Sequence, residues 1–351
     1  MRHLITLSDV DAAEVARIFA ITEDLKTKFT QGLREPLLPG RTLALLFEKQ
    51  SLRTRASFEA GITHLGGNCL MLGDDAGFGK RESIADFTRV LSEMVDVIVI
   101  RSKKHATVEE VARHAKCAVI NGLTDESHPC QAMADLYTMR EHFGTLDGLK
   151  LAWVGDGNNV ARSLVRCCGL TGVRLAVATP KGYELDDQFV AAARQQYPQL
   201  DLLVTHDPVE AVSNASAVYT DVWASMGQEA EQAKRRQDFA AYQVNGKLMS
   251  AAPKDAIFMH CLPARRGEEV TDEVIDGSQS VVVGQAANRM HVQKGILVWL
   301  LGAQALPHAY TAGSYGAPPP PFWSVSSAEP ANVNVDTSPT TEKVGPTEMR
   351  T

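Results

Sequence analysis

Short apolar runs rich in Val, Ile, Leu and Ala alternate with stretches of helical periodicity along this chain, and they do so twice over. That pattern leaves few folds open. A strand that is apolar throughout must be covered on both faces, and a helix between two such strands returns the chain so that the second lies parallel to the first. In the first half the runs that read as strands are Thr42–Phe47, Cys69–Leu72, Asp96–Arg101 and Cys117–Asn121. The second half begins near Leu149 with LAWVGD and continues with Arg174–Ala178, Leu202–Thr205, Ala217–Asp221, Ile257–His260 and Ser280–Gly284. Arg53–Leu65 reads as a helix after the first strand, and Pro129–Phe143 as a long helix joining the halves. Thr107 with Glu110 three residues later reads as a capping box opening another helix.

With 351 residues, 44% hydrophobic and 22% charged, the chain can bury two cores of ordinary size. A formal net charge of -7 argues against nucleic acid as a partner. Cys69, Cys117, Cys130, Cys167, Cys168 and Cys261 form no CxxC pair and no framework spacing, so neither disulfides nor a structural zinc are expected. The N-terminus has no uninterrupted apolar core of a signal peptide, and no run approaches the roughly 18 apolar residues of a membrane span. The expectation is a soluble cytoplasmic protein with reduced thiols, without a membrane or nucleic-acid partner. After Ala303 the chain changes character: GSYGAPPPPF is followed by a Ser/Thr/Pro/Glu-rich run to Thr351. That run reads as a disordered C-terminal tail, with a polyproline ligand at Pro318–Pro321 as the other reading.

Three runs far apart in the chain carry chemistry. SLRTR, Ser51–Arg55, places a hydroxyl, backbone amides and two guanidinium groups where a strand gives way to a helix, and helix N-terminus and arginines together attract an anion. HPCQ, His128–Gln131, sets an imidazole and an amide at i and i+3 on one face of a helix start, where both can reach one carbonyl group. HCLP, His260–Pro263, sets a thiol at the end of an apolar strand. Taken singly, each has an ordinary reading as a cap, a helix entry or a buried strand end. Together they describe a site for a small phosphorylated carbonyl compound.

In order and spacing these runs, with DVWASMG at Asp221–Gly227 and ANRMHVQK at Ala287–Lys294, resemble the aspartate/ornithine carbamoyltransferase family, and within it the ornithine branch. The resemblance covers roughly residues 3 to 303. It implies an α/β fold of two doubly wound parallel-sheet domains joined by interdomain helices. Residues 1–145 would bind carbamoyl phosphate, completed by a C-terminal helix at 288–303. Residues 146–287 would bind the amino acid, and 304–351 would be the tail. It implies that Ser51, Leu52, Arg53 and Thr54 hold the phosphate and that Arg101 spans phosphate and carbonyl. His128, Pro129, Cys130 and Gln131 would hold the carbamoyl end, with Cys261, Leu262 and Arg289 beside the reacting carbonyl. Asn159, Asp221, Ser225 and Met226 would bind the amino acid, and Cys261, Arg101, His128 and Asp221 would carry catalysis. The implied reaction moves the carbamoyl group of carbamoyl phosphate to the δ-amine of L-ornithine, giving citrulline and phosphate, with N-acetylornithine or N-succinylornithine as the alternative acceptor. No metal, cofactor or covalent intermediate is required, and homotrimers are the family's assembly.

The residue types suit that chemistry. Asp221 can pair with an α-ammonium, Asn159 at a helix start can donate to an α-carboxylate, and Met226 can line an alkyl chain. An alkyl ammonium with a pKa near 10.4 must lose a proton before it attacks, and Cys261 is placed as either a proton acceptor or an electrostatic partner. Arg55, two residues beyond Arg53 on a helix, points about 160° away from it and belongs to the fold or a subunit contact. One position departs from the family. In DDAGFGKRES the place of a carbamoyl-phosphate-binding Gln is taken by Gly77, whereas Lys80 matches a lysine that reaches a neighbouring subunit's site in aspartate carbamoyltransferases. Lys80 is therefore a candidate carbamoyl-phosphate ligand across a trimer interface.

Other functions fit less well. LAWVGDGNNVARSL looks like a dinucleotide-binding turn, but only Gly155 and Gly157 are present, Val160 stands at the third glycine position, and the next strand ends in Ala178, Thr179, Pro180 without an acid for a ribose. A cysteine hydrolase needs a base for Cys261, and His260, adjacent on a strand, points to the opposite face. Gly77 leaves open a non-catalytic family member. Within the family, HCLP and the SMG of DVWASMG speak against aspartate as acceptor, and Asp221, Ser225 and Met226 against putrescine.

Overall fold

The computed structural model describes residues 2–48, 51–73, 76–224 and 229–302. In chain order the first part comprises α1 (Ala12–Thr30), β1 (Thr42–Phe47), α2 (Leu52–His64), β2 (Asn68–Leu72), α3 (Ile84–Leu91), β3 (Val97–Arg101), α4 (His105–His114), β4 (Ala118–Leu123) and α5 (Pro129–Phe143). The second comprises β5 (Lys150–Val154), α6 (Asn159–Thr171), β6 (Arg174–Ala178), α7 (Asp187–Gln196), β7 (Leu202–Thr205), α8 (Pro208–Val212), β8 (Ala217–Thr220), α9 (Gln232–Asp238), α10 (Gly246–Met249), β9 (Ile257–His260), α11 (Asp272–Ile275) and α12 (Val282–Leu301). Every strand pair is parallel, in a four-stranded sheet ordered β2-β1-β3-β4 and a five-stranded sheet ordered β7-β6-β5-β8-β9.

Two buried faces explain the strands' unbroken apolar character. Along β1, Leu43, Leu45 and Phe47 face one core while Ala44 and Leu46 face another, because successive side chains alternate across a sheet. The larger core runs on through α5 and α6 to Leu151, Trp153 and Val177 of the second sheet. Proline at the first turn and Gly144 in the left-handed region (φ 78°) fix the two ends of α5. The long α12 returns from the second sheet to pack on α1, α2 and α5.

In both sheets the chain order reverses at a central pair, β1/β3 in the first and β5/β8 in the second. At such switch points the loops leaving the strand carboxyl ends splay apart and open a crevice. SLRTR follows β1, Arg101 ends β3, GDGNN follows β5, Asp221 follows β8 and Cys261 follows β9. All five chemical elements thus emerge at the carboxyl ends of their sheets.

Two expectations are corrected. Ser280–Gly284 is not a strand: Ser280 makes one bridge to Phe258, and helix α12 already begins at Val282. A run of three valines fits strand or buried helix equally, and packing against the adjoining core decides for the helix. The capping box at Thr107 and Glu110 does not form either. Helix α4 starts at His105, whose backbone N–H is taken by Asp125 Oδ1 at 2.8 Å, so a tertiary acceptor replaces the local cap. The tail expected at 304–351 and the residues Ser225 and Met226 lie outside the described residues. No helix among the described residues is long and apolar enough to cross a membrane.

Candidate active site

An open cleft of about 1560 Å³ is lined from both sheets, by Ser51, Leu52, Arg53 and Arg101 on one side and by Asn158, Asn159, Asp221, Cys261 and Leu262 on the other, with His128, Gln131 and Arg289 from the connecting helices. The three runs singled out in the sequence meet there.

Register makes this convergence unavoidable. Phe47 pairs with Arg101, so β1 and β3 end side by side, and Ser51 and Arg101 both line the cleft. Ser51 caps α2, its Oγ accepting from Thr54 N at 3.4 Å and donating to Thr54 Oγ1 at 3.1 Å. Thr54, fully buried, also accepts from Arg289 Nη2 at 2.8 Å and from Arg101 Nη1 at 3.4 Å. Three guanidinium groups, Arg53, Arg101 and Arg289, therefore crowd one spot. Burial, then Arg289 and Arg53, pushes Arg101 down to about 10. Burial also lowers Arg289. No carboxylate pairs with any of the three among the described residues, and the Nε of both Arg101 and Arg289 makes no hydrogen bond. Crowded guanidinium groups at a helix N-terminus, two of them buried and none paired with a carboxylate among the described residues, are a site built for an anion.

His128 sits at the N-cap of α5 without capping it; its backbone N–H donates to Ser163 Oγ at 2.8 Å. Burial first, then Arg289 and Arg101, drives the imidazole far below its ordinary range, so it is neutral at physiological pH. Gln131, one turn on, donates Nε2 to Asp135 Oδ1 at 2.8 Å, and its Oε1 is left without a partner. Gln285 of α12 donates to the same Oδ1 at 2.7 Å. Burial raises the Asp135 carboxyl to about 7 against those two donors and the Tyr219 hydroxyl. Pro129 and Cys130 do not line the cleft: Cys130 is wholly buried, and its thiol faces the Asn121 carbonyl at 3.8 Å.

On the far side, Thr220 pairs with His260, which puts the next residues, Asp221 and Cys261, side by side. Cys261 Sγ donates to Asp221 Oδ1 at 3.0 Å. Burial and then Asp221 raise the thiol well above its usual range, and of the two roles that the sequence left open, this and the hydrogen bond favour the electrostatic partner. Asp221 also accepts from Val222 N at 2.8 Å and from Asn158 Nδ2 at 3.1 Å. Asn158, which caps α6, is the asparagine that touches Asp221, whereas Asn159 Nδ2 donates to the Thr124 carbonyl. Gly157 permits this turn, since a Cβ there would lie 2.6 Å from the Glu184 backbone. Leu262 adopts φ 56°, with its N–H on His260 Nδ1 at 2.9 Å.

Asp221, His260 and Cys261 bring ligand atoms within 4.8 Å of one another, the spacing of a metal site. Both His260 nitrogens already have partners, Leu262 N on one and Glu269 Oε1 at 3.1 Å on the other, so the set presents no vacant imidazole. Arg55 pairs with Glu59 at 3.1 Å on the outer face of α2, as its helical position requires. Lys80 lies in the turn before α3 and is not among the residues lining this chain's cleft. Gly77 there has φ 74°, and a Cβ would meet Arg81 at 2.7 Å, so this turn is built for glycine.

The sequence reading missed Asn158, Ser163, Asp135 and Gln285. Asp135 alone left a signal, a carboxylate one turn beyond Gln131 in an otherwise apolar helix.

The family model described as aspartate/ornithine carbamoyltransferase, carbamoyl-P binding domain, matches residues 2–141, and its Asp/Orn binding domain companion matches 147–300. The ornithine carbamoyltransferase of Carboxydothermus hydrogenoformans is 53% identical over 304 residues, 86% of this chain and 98% of that one. That of Bacillus subtilis is 48% identical over 303 residues, 86% of this chain and 94% of the relative. The solved structure of ornithine carbamoyltransferase from Pyrococcus furiosus superposes with a TM-score of 0.83 at 48% identity, covering 86% of this chain and 97% of its own.

Proposed function

The chain belongs to the aspartate/ornithine carbamoyltransferase family, and from that premise we propose that it transfers the carbamoyl group of carbamoyl phosphate to the δ-amine of L-ornithine, forming citrulline and phosphate. The single observation that carries this reading is the cleft in which three arginines, with no carboxylate partner among the described residues, face a hydrogen-bonded Asp221–Cys261 pair.

In this reading residues 1–145 with 288–303 form the carbamoyl-phosphate domain and 146–287 the ornithine domain. Ser51, Leu52, Arg53 and Thr54 take the phosphate, while Arg101 and Arg289 neutralise the charge that grows on phosphate and carbonyl oxygen. Neutral His128 donates to that oxygen from one ring nitrogen, since Nδ1 and Nε2 cannot both be acceptors. Gln131 Oε1 accepts from the carbamoyl NH2. Asp221, with Asn159, Ser225 and Met226, holds the amino-acid head and aims the distal nitrogen. The δ-ammonium gives up a proton to solvent, the lone pair of the neutral amine attacks the carbonyl carbon, the C–O bond to phosphate breaks with its electron pair leaving on phosphate, and the departing phosphate takes the second proton from the nitrogen, which leaves neutral citrulline. Cys261, as a thiol, orients Asp221 through its hydrogen bond. Pro129 and Cys130 act by shaping the start of α5.

We further place the protein in the cytoplasm as a homotrimer, in keeping with six free cysteines and the family resemblance, with Lys80 serving the neighbouring subunit. Citrulline release from carbamoyl phosphate and ornithine by the purified protein tests the activity. Turnover with N-acetylornithine or N-succinylornithine and none with ornithine would replace it by the alternative acceptor.

A further inference from the structure

The amide of a glutamine is nearly symmetric, and only its partners decide which end faces a ligand. Asp135 supplies that decision. It is a wholly buried carboxyl in the middle of α5 with the Tyr219 hydroxyl against it, and its Oδ1 accepts from two glutamines on different helices. An oxygen that can only accept forces both nitrogens inward. The opposite ends are then fixed as acceptors: Gln285 Oε1 takes the His260 N–H at 2.9 Å, at the root of Cys261, and Gln131 Oε1 is left bare at the cleft. A proton on Asp135 would sit on Oδ2, the oxygen that neither glutamine uses, and leave this arrangement intact.

We propose that Asp135 is a positioning residue which, by holding Gln131 with its carbonyl oxygen toward the cleft, makes the site select donors whose carbonyl bears an NH2 over donors whose carbonyl bears a methyl group. The inference rests on the carbamoyl-phosphate reading of the site, and it explains how a pocket of arginines, which binds any acyl phosphate, distinguishes a carbamoyl from an acetyl group. An NH2 placed on a bare acceptor gains a hydrogen bond, whereas a methyl there leaves the Gln131 oxygen buried and unpaired.

Equilibrium binding tests this without turnover. The probes are phosphonoacetamide and acetonylphosphonate, which differ only in NH2 against CH3. The full-length protein binds the amide tighter by about tenfold or more, the worth of one buried hydrogen bond. In Asp135→Leu the preference falls toward unity while affinity for inorganic phosphate holds, and Asp135→Ala carries the same prediction where leucine does not pack. Asp135→Asn keeps an acceptor at Oδ1 and keeps the preference, whatever it does to the melting temperature. Combining Gln131→Met with Asp135→Leu lowers the preference no further than either change alone. The proposal is overturned if the acceptor-free variants retain the wild-type preference, if Asp135→Asn loses as much as they do, or if the two changes add. A wild type that binds neither phosphonate, or that prefers the amide yet makes no citrulline, would count against the carbamoyl-phosphate reading or the acceptor assignment respectively.

Discussion

Arg53, Arg101 and Arg289 stand together without a carboxylate among the described residues, and Coulomb repulsion and desolvation both weigh against that arrangement in the free protein. Function and stability therefore pull apart at Arg101. Replacing it by methionine raises the melting temperature, or leaves it unchanged, while kcat/KM falls by about 10² to 10³, the usual effect of removing one preorganised donor to a developing oxyanion. Inorganic phosphate raises the wild-type melting temperature by mass action and raises that of the variant far less. Thermal melts with and without phosphate check both halves. At Cys261 the raised thiol predicts slow chemistry: iodoacetamide at pH 8 alkylates it more slowly than a free cysteine, and faster labelling would mean a thiolate, hence a general base.

Among the elements, α12 does the most to hold the site, since it carries Arg289 and Gln285 inward while its other face packs on α1 and α2. His291 on that face stacks edge-on against Phe29 at 5.0 Å, and burial, then Lys294, pushes its imidazole down to about 3. Between about 3 and 6.5 the unfolded chain binds a proton there that the folded one does not, so stability is lost as pH falls through that window. His291→Phe keeps the stack and flattens that acid limb, as denaturant melts across pH will read. Much of this element was legible in advance. The ANRMHVQK run announced a helix carrying Arg289, yet the helix start at Val282 was not, because VVV fits strand and buried helix alike. The cleft residues were readable because each stands beside a strand end, where residue type and position are both informative. Asp135 left one signal, its place a turn beyond Gln131, whereas Gln285 and Ser163 were hidden, since their partners lie on other elements and leave no spacing in the sequence. Asn158 and Asn159 are adjacent, and only the turn geometry separates their partners.

At the scale of the whole molecule the two sheets present their switch points to one cleft, and the remaining question is what a neighbouring chain adds. If Lys80 serves the adjoining subunit, Lys80→Ala raises the KM for carbamoyl phosphate, and mixed trimers of Lys80→Ala and Arg53→Ala chains contain sites with the low wild-type KM that neither parent shows. An unchanged KM would return Lys80 to the surface of its own fold. The central claim is that donor and acceptor occupy that one cleft at attack distance. A ligand joining the two, a phosphonoacetyl group on the δ-nitrogen of ornithine, measures this directly by isothermal titration. The account predicts an affinity exceeding that of phosphonoacetamide and of ornithine by several orders of magnitude, because the second half binds as part of the same molecule. A joined ligand that binds no tighter than the better of its halves would contradict it.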